Sequence, residues 1–215
     1  MSNPHKLILF VECLLLFFVA PASLYLFRHH LAFRIIWVVM VLAIFCAAVL
    51  WKSPAFETRR LFSLARMGSH GKAILATFVL PAAMMTVYAW FFLHERFVSF
   101  PAERPKTWLI FFFLYPILAA FPQEVVFRAF FFHRYRKLFA HPAALILASS
   151  ASFSLAHFLY ANPVAPALSF FGGLLFSWRY WNTGSLPAAA FEHGLWGNFL
   201  FTVGIGWFFY SGAIQ

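Results

Sequence analysis

Long apolar runs separated by short polar breaks organise this chain, and most of the runs have the length of about 20 residues that a helix needs to cross a bilayer. The first covers about residues 7 to 27 and the second about 31 to 51, with the basic turn Arg28-His29-His30 between them. The third covers about 73 to 93. A polar loop follows, residues 94 to 106, with Pro101 and Pro105 marking the turn. The fourth run, 107 to about 139, would be about 48 Å long at about 1.5 Å per residue. It must bend, tilt or leave the membrane, and Pro116 and Pro122 are the expected bending points. The fifth extends from near Pro142 to near Pro163, and the sixth from about 164 to 181 with the close-packing pair Gly172-Gly173. The seventh starts at about Leu186, and a short piece over about 202 to 211 is broken by Gly204 and Gly206. The pattern predicts an all-α polytopic transmembrane bundle of about eight helices, one integral membrane domain over residues 1–215.

Two segments allow more than one reading. Lys6, an apolar core and Ala20-Pro21-Ala22-Ser23 resemble a signal peptide. Glu12 interrupts that core and the apolar stretch runs on to Phe27, so a retained helix is expected. In residues 52–72, Lys52, Arg59, Arg60, Arg66 and Lys72 alternate with Phe56, Leu61, Phe62, Leu64 and Met67. This is either an amphipathic segment lying on an anionic membrane face or a charged loop that anchors topology.

Composition narrows the class. Hydrophobic residues make up 63% of the 215 and charged residues 10%, with a mean hydropathy of +0.81. A soluble domain could not cover its surface with so few charges, which excludes a cytosolic enzyme, a disordered tail and a disulfide-stapled secreted domain. Cys13 and Cys46 sit in separate apolar runs without metal-ligand spacing. The net charge is +10, but the basic residues lie between apolar runs and form no continuous basic face, so no nucleic-acid partner is expected. With eight spans, Lys6, Lys52, Arg59, Arg60, Arg66, Lys72, Arg134, Arg136, Lys137 and Arg179 fall on the N-terminal side. Only Arg28, Arg34, Arg96, Arg104 and Lys106 fall on the other, which predicts a cytoplasmic N-terminus.

All six acidic residues are Glu, and Glu12, Glu124 and Glu192 lie within apolar stretches. A charge at that depth costs about 2.5–3.5 kcal/mol on insertion scales and usually faces a partner or a cavity. Three clusters stand out. Glu124 and Arg128 are spaced i, i+4 on the fourth run, so they share a helix face and can pair. Phe153 to His157 on the fifth follows Ser149, Ser150 and Ser152, a polar stripe of small residues. Glu192, His193, Gly194, Gly197 and Asn198 bring an acid, an imidazole and an amide into the seventh. Each has a plain structural reading: a neutralised pair, an interhelical hydrogen bond, close packing. Together, a carboxylate, two histidines and an amide can activate water and stabilise an oxyanion, the chemistry of amide hydrolysis. A transporter or proton path through Glu12, Glu124 and Glu192 is the competing reading, but no internal repeat accompanies it.

These residues resemble the CPBP intramembrane proteases, the group that includes type II CAAX prenyl endopeptidases and bacterial abortive-infection and bacteriocin-self-immunity proteins. The family pattern is Glu-Glu-x-x-x-Arg, Phe-x-x-x-His and His-x-x-x-Asn on successive helices. Gln123-Glu124 with Arg128, Phe153 with His157, and His193 with Asn198 match it over about residues 107–201. The resemblance implies an intramembrane endopeptidase acting on a membrane-associated or lipidated peptide, with Glu124, His157, His193 and Asn198 as catalytic groups and Gln123, Arg128, Phe153 and Glu192 in support. Membrane lipid and a peptide or lipidated protein are the implied partners. The small chain is more similar to the bacterial branch, which implies a bacterial cell membrane.

Two positions depart from the pattern. Gln123 stands where the family has its first Glu, and an amide cannot take a proton. Asn198 is five residues after His193, and Gly197 holds the expected place. Three readings follow: Glu124 serves as the base, Glu192 supplies the carboxylate, or the chain is a non-catalytic relative (an immunity or scaffold protein) that keeps a polar cavity. His157, His193 and a Glu have the composition of a zinc site with an open position, but no His-Glu-x-x-His spacing holds two ligands on one helix. No cofactor is assigned, and zinc stays open.

Overall fold

The computed structural model describes residues 3–31, 35–62 and 64–210, and all regular structure among them is helical. Residues 32–34 at the start of the second expected span, Ser211 at the end of the last, and the side chains of Arg60, Arg66 and Met67 lie outside the described residues.

Five helices are long and apolar enough to cross a membrane by length and composition: α1 (Pro4–Ser23), α2 (Ile35–Lys52), α3 (Leu64–Phe92, whose span is His70–Phe92), α4 (Pro105–Leu138) and α5 (Pro142–Tyr160). They are followed by α6 (Val164–Thr183), α7 (Leu186–Thr202) and a 3₁₀ stretch Ile205–Phe209. The chain is an integral membrane helix bundle. Its outer faces carry exposed Trp37, Val41, Phe91 and Phe92, as lipid contact requires.

Boundaries shift for local reasons. α1 stops at Ser23, just past Pro21, and Leu24 and Leu26 continue as tighter i→i+3 turns on the carbonyls of Pro21 and Ser23. α3 begins at Leu64 rather than near residue 73, so much of the basic segment is helical. Within that segment Phe56 and Leu61 are buried in the core while Phe62 and Leu64 face outward.

α4 accommodates its 34 residues with two π-helical stretches, Pro116–Ala120 and Val125–Phe130, next to the prolines expected to bend it. Such widened turns re-aim side chains and leave carbonyls that need other donors. The hydroxyl of Ser149 on α5 supplies one, donating to the carbonyl of Phe127 at 2.7 Å. α5 and α6 pack closely because Gly173 faces Ser150; a Cβ at residue 173 would stand 3.1 Å from the Ser150 Cα. The main core gathers Phe17 of α1, Leu50 of α2, Phe127 and Phe131 of α4, Phe153 of α5 and Phe176 of α6. Ser185 and Leu186 are fully buried, so α7 starts inside the bundle rather than at its surface.

Candidate active site

Glu124 is fully buried on α4, directly before the second π-helical stretch. Its Oε1 accepts a hydrogen bond from Nδ1 of His193 at 2.9 Å and lies 3.2 Å from Nη1 of Arg128. Arg128, also fully buried, donates from Nη2 to the Gly173 carbonyl at 3.3 Å and stacks over the ring of Phe153, 4.4 Å from its centroid. The carboxylate therefore has a permanent cation on one side and an imidazole on the other. Its Oε2 has no hydrogen-bond partner.

With Nδ1–H given to Glu124, the Nε2 of His193 is an acceptor. The imidazole is held flat on Phe176, centroids 4.7 Å apart and planes 13° apart, and edge-on to Phe153. Nε2 accepts from the hydroxyl of Tyr115 at 3.3 Å. His157 is held in the same sense: its Nδ1 donates to the Phe153 carbonyl at 2.7 Å, which leaves its Nε2 as an acceptor as well. His157 thus has one nitrogen committed and one available for a water proton, while Nε2 of His193 is held only by the long Tyr115 contact that a water can displace.

Two cavities meet at this place. One, of about 540 Å³, is lined by His157, His193, Tyr115 and Gly197 together with apolar residues of α3, α6 and α7. The other, of about 630 Å³, is lined by Gln123, His157, Tyr115 and Tyr160 and opens toward Arg96 and Arg104. His157 and Tyr115 line both.

The remaining candidates fall elsewhere. Glu192 is fully buried and takes a bidentate ion pair from Arg179, Nε to Oε2 at 2.8 Å and Nη2 to Oε1 at 3.0 Å. Thr77 of α3 adds a hydrogen bond at 2.9 Å. Although next to His193 in sequence, Glu192 is turned about 100° round α7 and faces Arg179 and Thr77, so it is not the carboxylate at the histidines. Arg179 sits inside the bundle as its partner, not on the surface where the charge count placed it. Asn198 donates from Nδ2 to the Phe112 carbonyl at 2.9 Å, away from both imidazoles, and Gly197 lines the cavity in its stead. The Phe112 carbonyl is the one whose α-helical donor would be the N–H that Pro116 lacks. Gln123 lines the second cavity, and its Oε1 is buried without a partner.

A zinc ion does not fit this donor set. Among the described residues no three of His, Cys, Asp and Glu are grouped to hold a metal. The one carboxylate at the histidines already carries His193 and a guanidinium.

Two groups were missed by sequence reasoning. Tyr115 lies on an apolar face of α4 with no motif around it, and only the fold brings it to His193. Arg179 looked like a loop charge because it falls near the end of its apolar run.

Comparison with curated proteins gave no match, and neither did comparison with solved structures. A family model does match, "Type II CAAX prenyl endopeptidase Rce1-like", over residues 105–200. That stretch begins at the start of α4 and ends within α7, so it contains the Glu124, Arg128, Phe153, His157 and His193 cluster. The match covers residues 105–200, just under half of the chain, and supports placing it with the CPBP group of intramembrane proteases.

Proposed function

We propose that the chain is an intramembrane endopeptidase that hydrolyses a peptide bond of a membrane-associated or lipidated substrate. The observation that carries this reading is the Glu124 Oε1–His193 Nδ1 contact of 2.9 Å beside a cavity that His157 shares. Glu124 is already engaged by Arg128 and His193 through Oε1, so it acts through the imidazole. It fixes the Nδ1–H tautomer and stabilises the imidazolium that forms when Nε2 takes a proton from water. His157 orients that water through its own free Nε2. The water oxygen bonds to the scissile carbonyl carbon, and the carbonyl electron pair moves to its oxygen. On collapse the C–N bond breaks, and the proton on His193 passes to the leaving amine.

The apolar cavity between α3, α6 and α7 fits a lipid chain or an apolar peptide segment, in keeping with the family's substrates. A cytoplasmic N-terminus is part of this proposal, resting on the surplus of basic residues on that side.

The test uses the purified full chain in proteoliposomes with a farnesylated CAAX peptide and its unprenylated counterpart. His193→Ala and Glu124→Gln are each expected to lower cleavage by about 10²-fold or more. Wild-type rates in both variants would overturn the mechanism. Gln123, an amide where the family has its first Glu and with its Oε1 unpartnered, favours a second reading, a non-catalytic member with a retained cavity. An inert wild type combined with an active Gln123→Glu variant would establish that reading instead.

A further inference from the structure

The oxyanion donor expected at position 197 or 198 is not at either place. Gly197 has no side chain, and the Asn198 amide is committed to the Phe112 carbonyl. The space beside Gly197 is filled by the ring of Tyr115: a Cβ on residue 197 would overlap its Cε1, Cζ and hydroxyl oxygen. That hydroxyl is 3.3 Å from Nε2 of His193 and stands at the junction of the two cavities, which share Tyr115 and His157. The first cavity is mainly apolar and the second has Gln123 and two arginines. The cavities also share Phe201 and Phe209, so an extended substrate running from one to the other would pass among these four side chains, beside the only hydroxyl in that set.

We propose that Tyr115 is a catalytic residue of this site, supplying the hydrogen bond that the tetrahedral oxyanion needs, and that Gly197 is its required companion. This rests on the hydrolytic reading above. In the free site the phenol proton is directed at His193 Nε2. When water occupies that nitrogen, the hydroxyl turns about its C–O bond and donates to the carbonyl oxygen as the electron pair arrives there. The phenol keeps its proton throughout, so Tyr115 takes no part in proton transfer. The long contact of 3.3 Å to His193 suits a donor that must leave it.

The pairing is steric. With the Tyr115 ring held where it is, it and any side chain at 197 exclude each other, so a site with Gly197 takes its donor from α4 rather than α7. Two rings hold the phenol in place: Phe111, stacked with centroids 5.1 Å apart, and Phe201, 6.0 Å away.

The test is steady-state cleavage of the farnesylated CAAX peptide by wild type, Tyr115→Phe, Tyr115→Ala and the double variant Tyr115→Ala/Gly197→Asn in proteoliposomes. Tyr115→Phe keeps the ring against Gly197 and removes only the hydroxyl. It is expected to lower kcat about 10²- to 10³-fold, as loss of one oxyanion donor does, with KM unchanged. Tyr115→Ala is expected to lose as much, and the double variant, which opens the space and returns an amide to α7, to regain at least tenfold. Circular dichroism and melting in detergent check that each variant is folded. Tyr115→Phe with wild-type kcat, while His193→Ala is inactive, overturns this inference alone. An effect on KM only assigns Tyr115 to binding and also overturns it. A wild type that cleaves nothing, with His193→Ala no different, overturns the hydrolytic reading and this inference with it.

Discussion

Asn198 and Phe112 are joined by a 2.9 Å hydrogen bond from the side-chain amide to a main-chain carbonyl, across the α7–α4 contact. Pro116 has no N–H to give that carbonyl, and no water is at hand within a bilayer to replace it. The amide therefore repairs a defect in α4 at the point where its first π-helical stretch begins. Asn198→Ala is expected to lower stability by about 1–3 kcal/mol, the usual cost of an unsatisfied buried polar group. Its effect on kcat should be under tenfold, far smaller than that of Tyr115→Phe. Thermal melts in detergent beside the cleavage assay separate the two effects.

Glu192 and Arg179 form a pair closed on every side by protein, with Thr77 as a third member. Removing one charge leaves the other buried without compensation, which costs about 3–5 kcal/mol. Glu192→Leu or Arg179→Met alone should lower the melting temperature strongly, and the double variant Glu192→Leu/Arg179→Met should recover most of the loss. A double-mutant cycle measured by detergent unfolding checks this. Equal destabilisation in the double and single variants would show that the residues act separately.

Glu12 and Arg134 make contacts as short, 2.9 and 2.7 Å, but in a more open place. The Arg134 side chain is 43% exposed and that of Glu12 is 26% exposed. Solvent and headgroup screening reduce such a pair to under about 1 kcal/mol. Arg134→Ala is therefore expected to shift stability much less than Arg179→Met, even though the distances match. The same melts decide it.

At Gly173 α6 lies close against α5, and the Gly173 carbonyl also receives Arg128. Gly173→Val would push the two helices apart at Ser150, at a cost of about 1–3 kcal/mol for overpacking. Because Arg128 is anchored there and pairs with Glu124, the displacement should reach the active site and reduce cleavage. Gly172→Ala is the comparison for stability: a Cβ there meets only the far end of the Phe176 ring and does not part the two helices.

Much was legible in the order of residues. Glu124 with Arg128 at i, i+4 announced a pair on one helix face, and the pair is there at 3.2 Å. Pro116 and Pro122 marked where α4 would change its winding, and the π-helical stretches lie beside them. Depth along the helices was less readable. Counting from Leu186 makes His193 seem shallower than Glu124 and His157, but α7 begins in the buried interior, and the imidazole reaches Glu124 directly. A count along one helix assumes that its first residue lies at an exposed end of the bundle, and Leu186 is fully buried.

By itself the sequence determined that this is a helical membrane protein, because hydrophobicity and length are properties of each segment alone. It also determined which ionisable groups lie within apolar stretches, since insertion cost attaches to the residue. Partners were decided only by the tertiary structure. Glu124 went to His193, Glu192 to Arg179, Asn198 to a carbonyl orphaned by proline, and Tyr115 to the space above Gly197. Helix periodicity fixes which side of its own axis a residue takes, but not which neighbour lies there. That depends on how the helices cross, and in this bundle on two widened turns of α4 that rotate everything after them.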